Sequence, residues 1–409
     1  MKTKLASTSF DRLIDPSFDL VSKAGLGALT LRPLADATHI SLSQLTSLVG
    51  RKSDLICGLI KAGRARDQIL RQQILDLNSN LSQAAPDDIA ELCDLTLDHW
   101  VQKDRAMAVF FCEILFASAT DPALFIELAP WINDQLIFWK QLTEKLPWSD
   151  TGLPAEILLA YSIDELVHSC AHYMSADYHR LRRLCLQRLC RKQVAEHVPP
   201  DASEQIFRYL FDALGDLDDQ IGIDKQIWAP KSDRARMIAL TGARMIVDRG
   251  ADAISHRSVA AEMGLPSSTL AYHFRTREDL LKGAMAGIIG QLKQSLSQGQ
   301  LPDGQVAIMN AGYAIARSTY ALALEAGRNP AFIASAADMR RKRGINLRVS
   351  FNRMGSAQTL DGLGAQVISI ATIGQVLLSA HLGLPAAMQA TGHLRDRFVT
   401  ELGLMGGGP

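Results

Sequence analysis

The stretch Gly264–Leu281, GLPSSTLAYHFRTREDLL, decides how this chain reads. Gly264 permits a tight left-handed turn, and Pro266 can take a first-turn position of the short helix that follows. On that helix Ser267, Ser268, Thr269, Tyr272 and His273 fall on the exposed side or tip. Hydroxyls and imidazoles can reach base edges, while hydroxyls and Arg275 can anchor phosphates and fix register. The spacing of Thr276 and Asp279 predicts a capping box for the next helix. Working upstream, Ser255 can cap a helix that begins at His256, leaving Arg257 near its start and Val259 and Ala260 facing inward. Ile238, Ile246 and Gly250 supply an earlier apolar helix and its end.

Taken together, these residues form about fifty positions without a gap that resemble the DNA-binding segment of the tetracycline-repressor (TetR) family. The resemblance implies a three-helix helix-turn-helix head followed by a helical regulatory domain. It also implies a homodimer that grips a near-palindromic operator in double-stranded DNA and lets go when a small-molecule effector binds. Ala271 departs from the family, which usually has Tyr there; the adjacent Tyr272 can take over a phosphate contact. The alternative is that Tyr272 and His273 merely close the miniature core, to which Phe274 is assigned outright.

The same skeleton occurs a second time, 225 positions earlier. Gly25 stands at the position of Gly250, Arg32 at Arg257, Ala35 at Ala260, Ser43 at Ser268, Leu45 at Leu270, Asp54 at Asp279 and Gly58 at Gly283. Apolar positions agree too: Leu13 with Ile238, Val21 with Ile246, Leu34 with Val259 and Val49 with Phe274. The reading surface differs. Thr30 and Ser41 are expected to cap the two helices, and Ser43, Gln44, Thr46 and Ser47 are exposed polar candidates beside Arg32. Gln44 is the most pointed of them, because an amide can bond an adenine edge in two places. The turn glycine has become His39, which tolerates a left-handed turn less readily, and Arg51 replaces the cap at Thr276, with Ser53 as a substitute cap. This first head either reads a different sequence or has faded into a scaffold.

Length and composition fit two copies of one helical unit. The 409 residues suffice for about two to three domains, and period-3.6 patterning covers most of them. We expect an all-α protein of two tandem units packed as an intramolecular pseudo-dimer. The expected divisions are a degenerate head at 8–60, a helical ligand domain at 61–200, a linker at 201–230, the well-preserved head at 231–285 and a second helical domain at 286–405. Formal net charge is zero, which disfavours a nonspecific nucleic-acid coat. Residues 1–66 nevertheless hold ten Lys and Arg against five acids, and residues 231–282 hold nine against six, so both heads are cationic islands.

Helices are expected at about 61–83, 86–101, 103–119, 122–145, 153–175 and 177–197, with Pro122 and Pro154 marking starts and Pro199-Pro200 a break. An amphipathic segment from Asp201 to Leu217 leads into the acidic linker that ends at Pro230. Asn329-Pro330 echoes Asp121-Pro122, and Ala365–Leu384 echoes Ala155–Met174; the closing GLMGGGP reads as a disordered tail. The apolar segment 365–384 has membrane-like length but is interrupted by Gln366, Gln375 and His381, so it reads as a buried bundle helix. The N-terminus turns polar before any apolar signal core, and the six cysteines lie in the first half, as expected of reduced thiols in the cytoplasm. A redox-sensing role for Cys185 and Cys190 is open.

An aromatic-lined cavity is the usual small-molecule site, and Trp100, Phe111, Trp131 and Trp139, with Trp148 nearby, concentrate in the first regulatory region. Asp164, His168 and His172 share a helix face there and are pocket candidates, while Glu165-x-x-His168 has di-iron spacing without the second copy that chemistry needs. No cofactor motif, complete metal-ligand set or catalytic constellation is visible. Three readings follow: a ligand-responsive DNA-binding regulator, a repressor by resemblance, with two unequal heads on a pseudo-palindromic or asymmetric operator; a regulator with an inert first head that pairs between chains; and an all-α enzyme or metal-binding bundle.

Overall fold

A computed structural model describes residues 2–79, 86–144, 155–190, 202–221, 232–298, 305–345, 347–348 and 361–382. Among the described residues every regular element is helical, as the periodicity predicts. The first half contains α1 Lys2–Ala24, α2 Leu31–Thr38, α3 Leu42–Val49, α4 Lys52–Ser79, α5 Pro86–Ser118, α6 Pro122–Glu144, α7 Ala155–Ala171, α8 Ala176–Cys190 and α9 Ala202–Ile221. The second contains α10 Asp233–Arg249, α11 His256–Met263, α12 Ser267–His273, α13 Arg277–Gln298, α14 Gln305–Ala326, α15 Ile333–Arg341 and α16 Gly362–Leu382. Short 3₁₀ turns sit at Leu26–Ala28, Ala251–Ala253 and Pro330–Phe332.

Several boundaries move from their expected places. The first head and the regulatory region share one unbroken helix, α4. Gly58 and Gly63 do not interrupt it, because their bare Cα positions admit the rings of Phe10 and Trp131. Helices expected at 86–101 and 103–119 join as α5 with a kink at Asp104 (φ −149°, ψ 62°). Asp104 accepts from the Met107 backbone at 3.2 Å and from Arg66 at 3.2 Å, which re-caps the chain after the kink. Much of the expected linker at 201–230 is the amphipathic helix α9, whose Phe207, Leu210 and Leu214 are buried as it packs on α8 and α15. Pro199-Pro200, the rest of that linker at 222–230, Trp148 and the GLMGGGP tail lie outside the described residues.

Pro122 opens α6 as expected, with Asp121 Oδ1 accepting from the Ala123 and Leu124 backbones at 2.9 and 3.3 Å. Its echo keeps the chemistry: Asn329 Oδ1 accepts from the Ala331 backbone at 3.1 Å. At the centre lies α7, buried along its length except at Glu156. Its principal neighbour is α16, the helix that the sequence pairs with it. Gly374 makes that crossing close, since any side chain there would strike the Ala160 backbone. Gly362–Ser379 is long and apolar enough to cross a membrane, but in this fold it packs against α7, α8 and α14.

Candidate nucleic-acid interface

The two head segments follow one backbone trace at a constant offset as far as the reading helix, after which Gly50 (φ 68°, ψ −122°) turns the first chain and an extended Phe274 (φ −130°, ψ 104°) the second. Gly25 has φ 84° and ψ 170°, and Gly250 has φ 86° and ψ 166°; each donates its N–H at 2.8 Å to the carbonyl four residues back. A 3₁₀ turn follows in both, then an eight-residue helix, α2 or α11, then a left-handed residue. That residue is Gly264 (φ 63°, ψ 33°) in the second head and His39 (φ 56°, ψ 30°) in the first. His39 therefore accepts the geometry despite the steric cost of a Cβ in that region. Lys52 and Arg277, again equivalent, reach back to the carbonyls of Leu26 (3.2 Å) and Ala251 (3.3 Å), closing each head in the same way.

In the second head, Ser255 caps α11 by accepting from the Ser258 backbone at 3.0 Å, as its place predicts. Its hydroxyl is thus committed to the helix rather than offered to DNA. Thr276 and Asp279 form the expected reciprocal box, both bonds 3.0 Å. Pro266 occupies the N-cap of α12 rather than its first turn. Ser267, Ser268, Arg257 and Arg275 are exposed, Thr269 and His273 half-buried. Tyr272 is 82% exposed with its ring edge-on to His273, so it does not close the core. Phe274, expected fully inside, is half-buried; its ring covers Gly283 and its carbonyl meets His256 Nε2 at 2.7 Å. Arg244 and Arg249 pair with Glu262 at 3.3 and 3.1 Å, which trims the cationic island.

In the first head, Thr30, Arg32, Ser41, Ser43, Gln44, Thr46 and Ser47 are all exposed. Three expectations change. Thr30 stands at the N-cap of α2 but its side chain makes no cap bond. Ser41 does cap α3, yet the second arm of its box is Gln44, whose Oε1 accepts from the Ser41 backbone at 3.4 Å and hydroxyl at 2.9 Å. The acceptor that two-point adenine reading needs is occupied. Thr46 bonds back to the Leu42 carbonyl at 2.8 Å, and the helix after it is closed by Asp54 accepting from the Arg51 backbone at 3.0 Å rather than by Ser53.

The heads touch where equivalent positions meet. The Gly27 N–H donates to Asp252 Oδ2, and these two residues are 225 apart, so the contact joins a position to its own counterpart as at a two-fold axis. Behind it Arg317, almost fully buried, donates to the carbonyls of Val247 (2.6 Å) and Asp248 (3.2 Å) at the end of α10 and of Phe116 (3.0 Å) near the end of α5. Its guanidinium lies 3.9 Å from the Phe116 ring centroid. Burial lowers the Arg317 pKa, and these carbonyls are the partners that stabilise the cation. Nearby, Arg328 pairs with Glu113 in a buried bridge linking α5 to the turn after α14. Glu325 beside them is pushed up to about 7, by burial first and then by Glu113 and Asp252.

The aromatic pocket candidates turn out to be core. Trp100 and Trp131 donate their indole N–H groups at 2.7 and 2.5 Å to the fully buried carboxylate of Asp67, which Arg71 pairs at 3.1 Å. Burial raises the Asp67 pKa, and Arg71 and the indoles oppose the rise. Phe111 packs edge-on to Trp131, and Trp139 against Phe138. Asp164, His168 and His172 are also buried, but what faces them is guanidinium rather than further ligands. Arg343 donates to Asp164 at 2.9 Å and lies 3.2 Å from His168 Nε2; Arg340 grips Glu165 at 2.9 to 3.2 Å. Burial holds Asp164 up at about 6 and His172 down at about 3. Among the described residues no group of three such side chains could hold a metal ion. Cys185 meets Gln366 and is raised to about 11 chiefly by burial, while Cys190 lies beside Cys93, so the two expected redox partners do not face each other.

No known family model and no curated protein matches the chain.

The described cavity, about 540 Å³, lies elsewhere, between α9, the segment after α15 and the start of α16. The signal for it in the sequence is Arg340-Arg341-Lys342-Arg343, with Arg348 five residues on, a run of cations at the end of the small-residue helix α15 and in the turn that follows it.

Proposed function

We propose that the protein is a ligand-responsive, sequence-specific DNA-binding regulator of the TetR type, in which one chain carries both heads of the usual dimer. The reading is supported above all by one observation. Two segments 225 residues apart repeat the same backbone angles at Gly25 and Gly250 and at His39 and Gly264, and the same carbonyl ties from Lys52 and Arg277, and each leads into a short helix with an exposed polar face. A repeated frame with an altered outer face is what two reading heads with different half-sites require. On α12, Ser267, Ser268, Tyr272 and His273 read bases or grip sugar and phosphate, and Arg257 and Arg275 set register on the backbone. On the first head, Arg32, Ser43, Thr46 and Ser47 play these parts.

The proposed regulator is cytoplasmic and represses by occupying an asymmetric operator. Arg317 ties the second head to α5 of the first half, and Gly27 meets Asp252 at the seam. A change in how the halves pack would therefore alter the angle between heads, the coupling that release from DNA needs. A second reading of the same class, with the first head as scaffold, is favoured by one detail: Gln44 spends its acceptor on capping. The test is selection of bound fragments from a random DNA pool at defined salt, followed by contact mapping. Two unlike half-sites support two active heads, protection under α12 alone supports the scaffold reading, and no enrichment removes both.

A further inference from the structure

The seam cavity is built from both halves of the chain. One wall is α9, which contributes Phe207 and Phe211; the other is Arg341, Arg343, Gly344, Ile345 and Arg348 with Gly362 and Ala365 of α16. Its volume, about 540 Å³, falls in the range of small-molecule sites. Four arginines line it; Glu204, Asp338 and Asp164 pair with Arg208, Arg341 and Arg343, so the surplus positive charge rests on Arg348 at the rim. An occupant with negative charge is therefore favoured over a neutral or cationic one.

The polar groups are unevenly committed. Arg341 is used structurally: it pairs with Asp338 at 2.7 Å, donates to the Phe211 carbonyl at 3.1 Å and lies 4.5 Å from the Phe211 ring centroid. Arg343 is 6% exposed, and although one arm holds Asp164, its Nε is buried without a partner. A buried guanidinium N–H left open is costly, and an acid oxygen is the acceptor that removes the cost. Glu204 likewise gives Oε1 to Arg208 at 3.4 Å and leaves a buried Oε2 open. That oxygen calls for a donor on the occupant. Arg348 stands exposed at the rim.

We infer that this cavity is an effector site for a hydroxylated organic acid, its acid group on Arg343 and Arg348, its apolar body against Phe207 and Phe211, and its hydroxyl donating to Glu204 Oε2. The acid competes with Asp164 for Arg343. Asp164 sits on α7, which crosses α16 between the halves, so occupancy is transmitted to the packing that sets the heads. This regulatory consequence rests on the DNA-binding reading; the binding itself does not.

The test uses the full-length chain and three probes: 6-hydroxy-2-naphthoate, 2-naphthoate and 6-hydroxy-2-naphthamide, titrated by calorimetry. The hydroxy acid is expected to bind about tenfold tighter than its amide. Arg348→Gln, a rim change that leaves the fold alone, should weaken the acid severalfold without touching the amide. Arg343→Lys, which keeps a cation beside Asp164, should lower acid affinity by about tenfold. Glu204→Gln should abolish the preference for the hydroxylated acid while 2-naphthoate binds as before. Equal affinity for acid and amide, or no binding of any probe at millimolar concentration, overturns the proposal. Tight acid binding that leaves DNA affinity unchanged retains the site and removes its regulatory role, whereas acid binding by a chain that selects no DNA would count against the regulator reading alone.

Discussion

The two heads have the same skeleton and are filled differently. In the second, the ring that covers Gly283 is Phe274, from the end of the reading helix; in the first, the ring over the equivalent Gly58 is Phe10, from α1. The hole is the same and the plug comes from another helix. The reading faces diverge in a similar way: Tyr272 projects into solvent, whereas Gln44 turns its acceptor back to cap its own helix. A frame fixed by turn residues and carbonyl ties tolerates repacking because the hydrophobic requirement is volume rather than identity.

Exchanging the plugs breaks the comparison most severely. Phe274→Ala should cost about 3 kcal/mol, the low end for loss of a packed ring, and loosen α12 selectively. Phe10→Ala should loosen the junction of α1 with α4 instead. Hydrogen exchange resolves the two, and protection lost equally in both heads by either variant would refute separate packing. Next in size is the acid at the seam. Glu325 has a folded pKa of about 7 against 4.5 for the free group. The native state therefore keeps a proton that the unfolded chain has released, and Glu325 subtracts stability progressively as pH rises from about 4.5 through 7. Glu325→Gln should gain on the order of 2 kcal/mol at pH 8 and nothing near pH 4, read from denaturant midpoints at both pH values.

Smaller effects separate the reading faces. Tyr272→Ala should leave the melting temperature unchanged and weaken specific DNA by roughly tenfold, about 1–2 kcal/mol. Gln44→Ala should do the reverse, costing about 1 kcal/mol of stability through the lost cap and little affinity. The smallest pair concerns the turns. His39→Gly should stabilise by up to about 1 kcal/mol, and Gly264→Ala destabilise by about as much, because both positions hold a left-handed backbone. Thermal melts of the two variants should shift in opposite directions.

What was legible in the sequence is what local chemistry dictates. The offset between heads, the turn glycines, Ser255 and the Thr276–Asp279 box, the helical class and the largely buried character of 365–379 all follow from residue type and spacing. What was not legible depends on partners distant in the chain. Nothing in the spacing of Trp100 and Trp131 reveals that both indoles aim at Asp67, so they resembled a pocket wall. Nothing around Asp164 and His168 reveals that Arg343, 179 and 175 positions away, answers them. The amphipathic segment 201–217 was legible as such, but not that its helix runs on to Ile221 and packs on α15 of the other half, with the Phe207 ring against Gly362.

The most direct test of the central claim is selection from random DNA, with the mass of the selected complex measured in solution. The account predicts one chain per duplex and two unlike half-sites spaced about one helical turn apart, roughly 34 Å centre to centre. Recovery of no preferred sequence at physiological salt, or of a symmetric palindrome held by two chains, would contradict it.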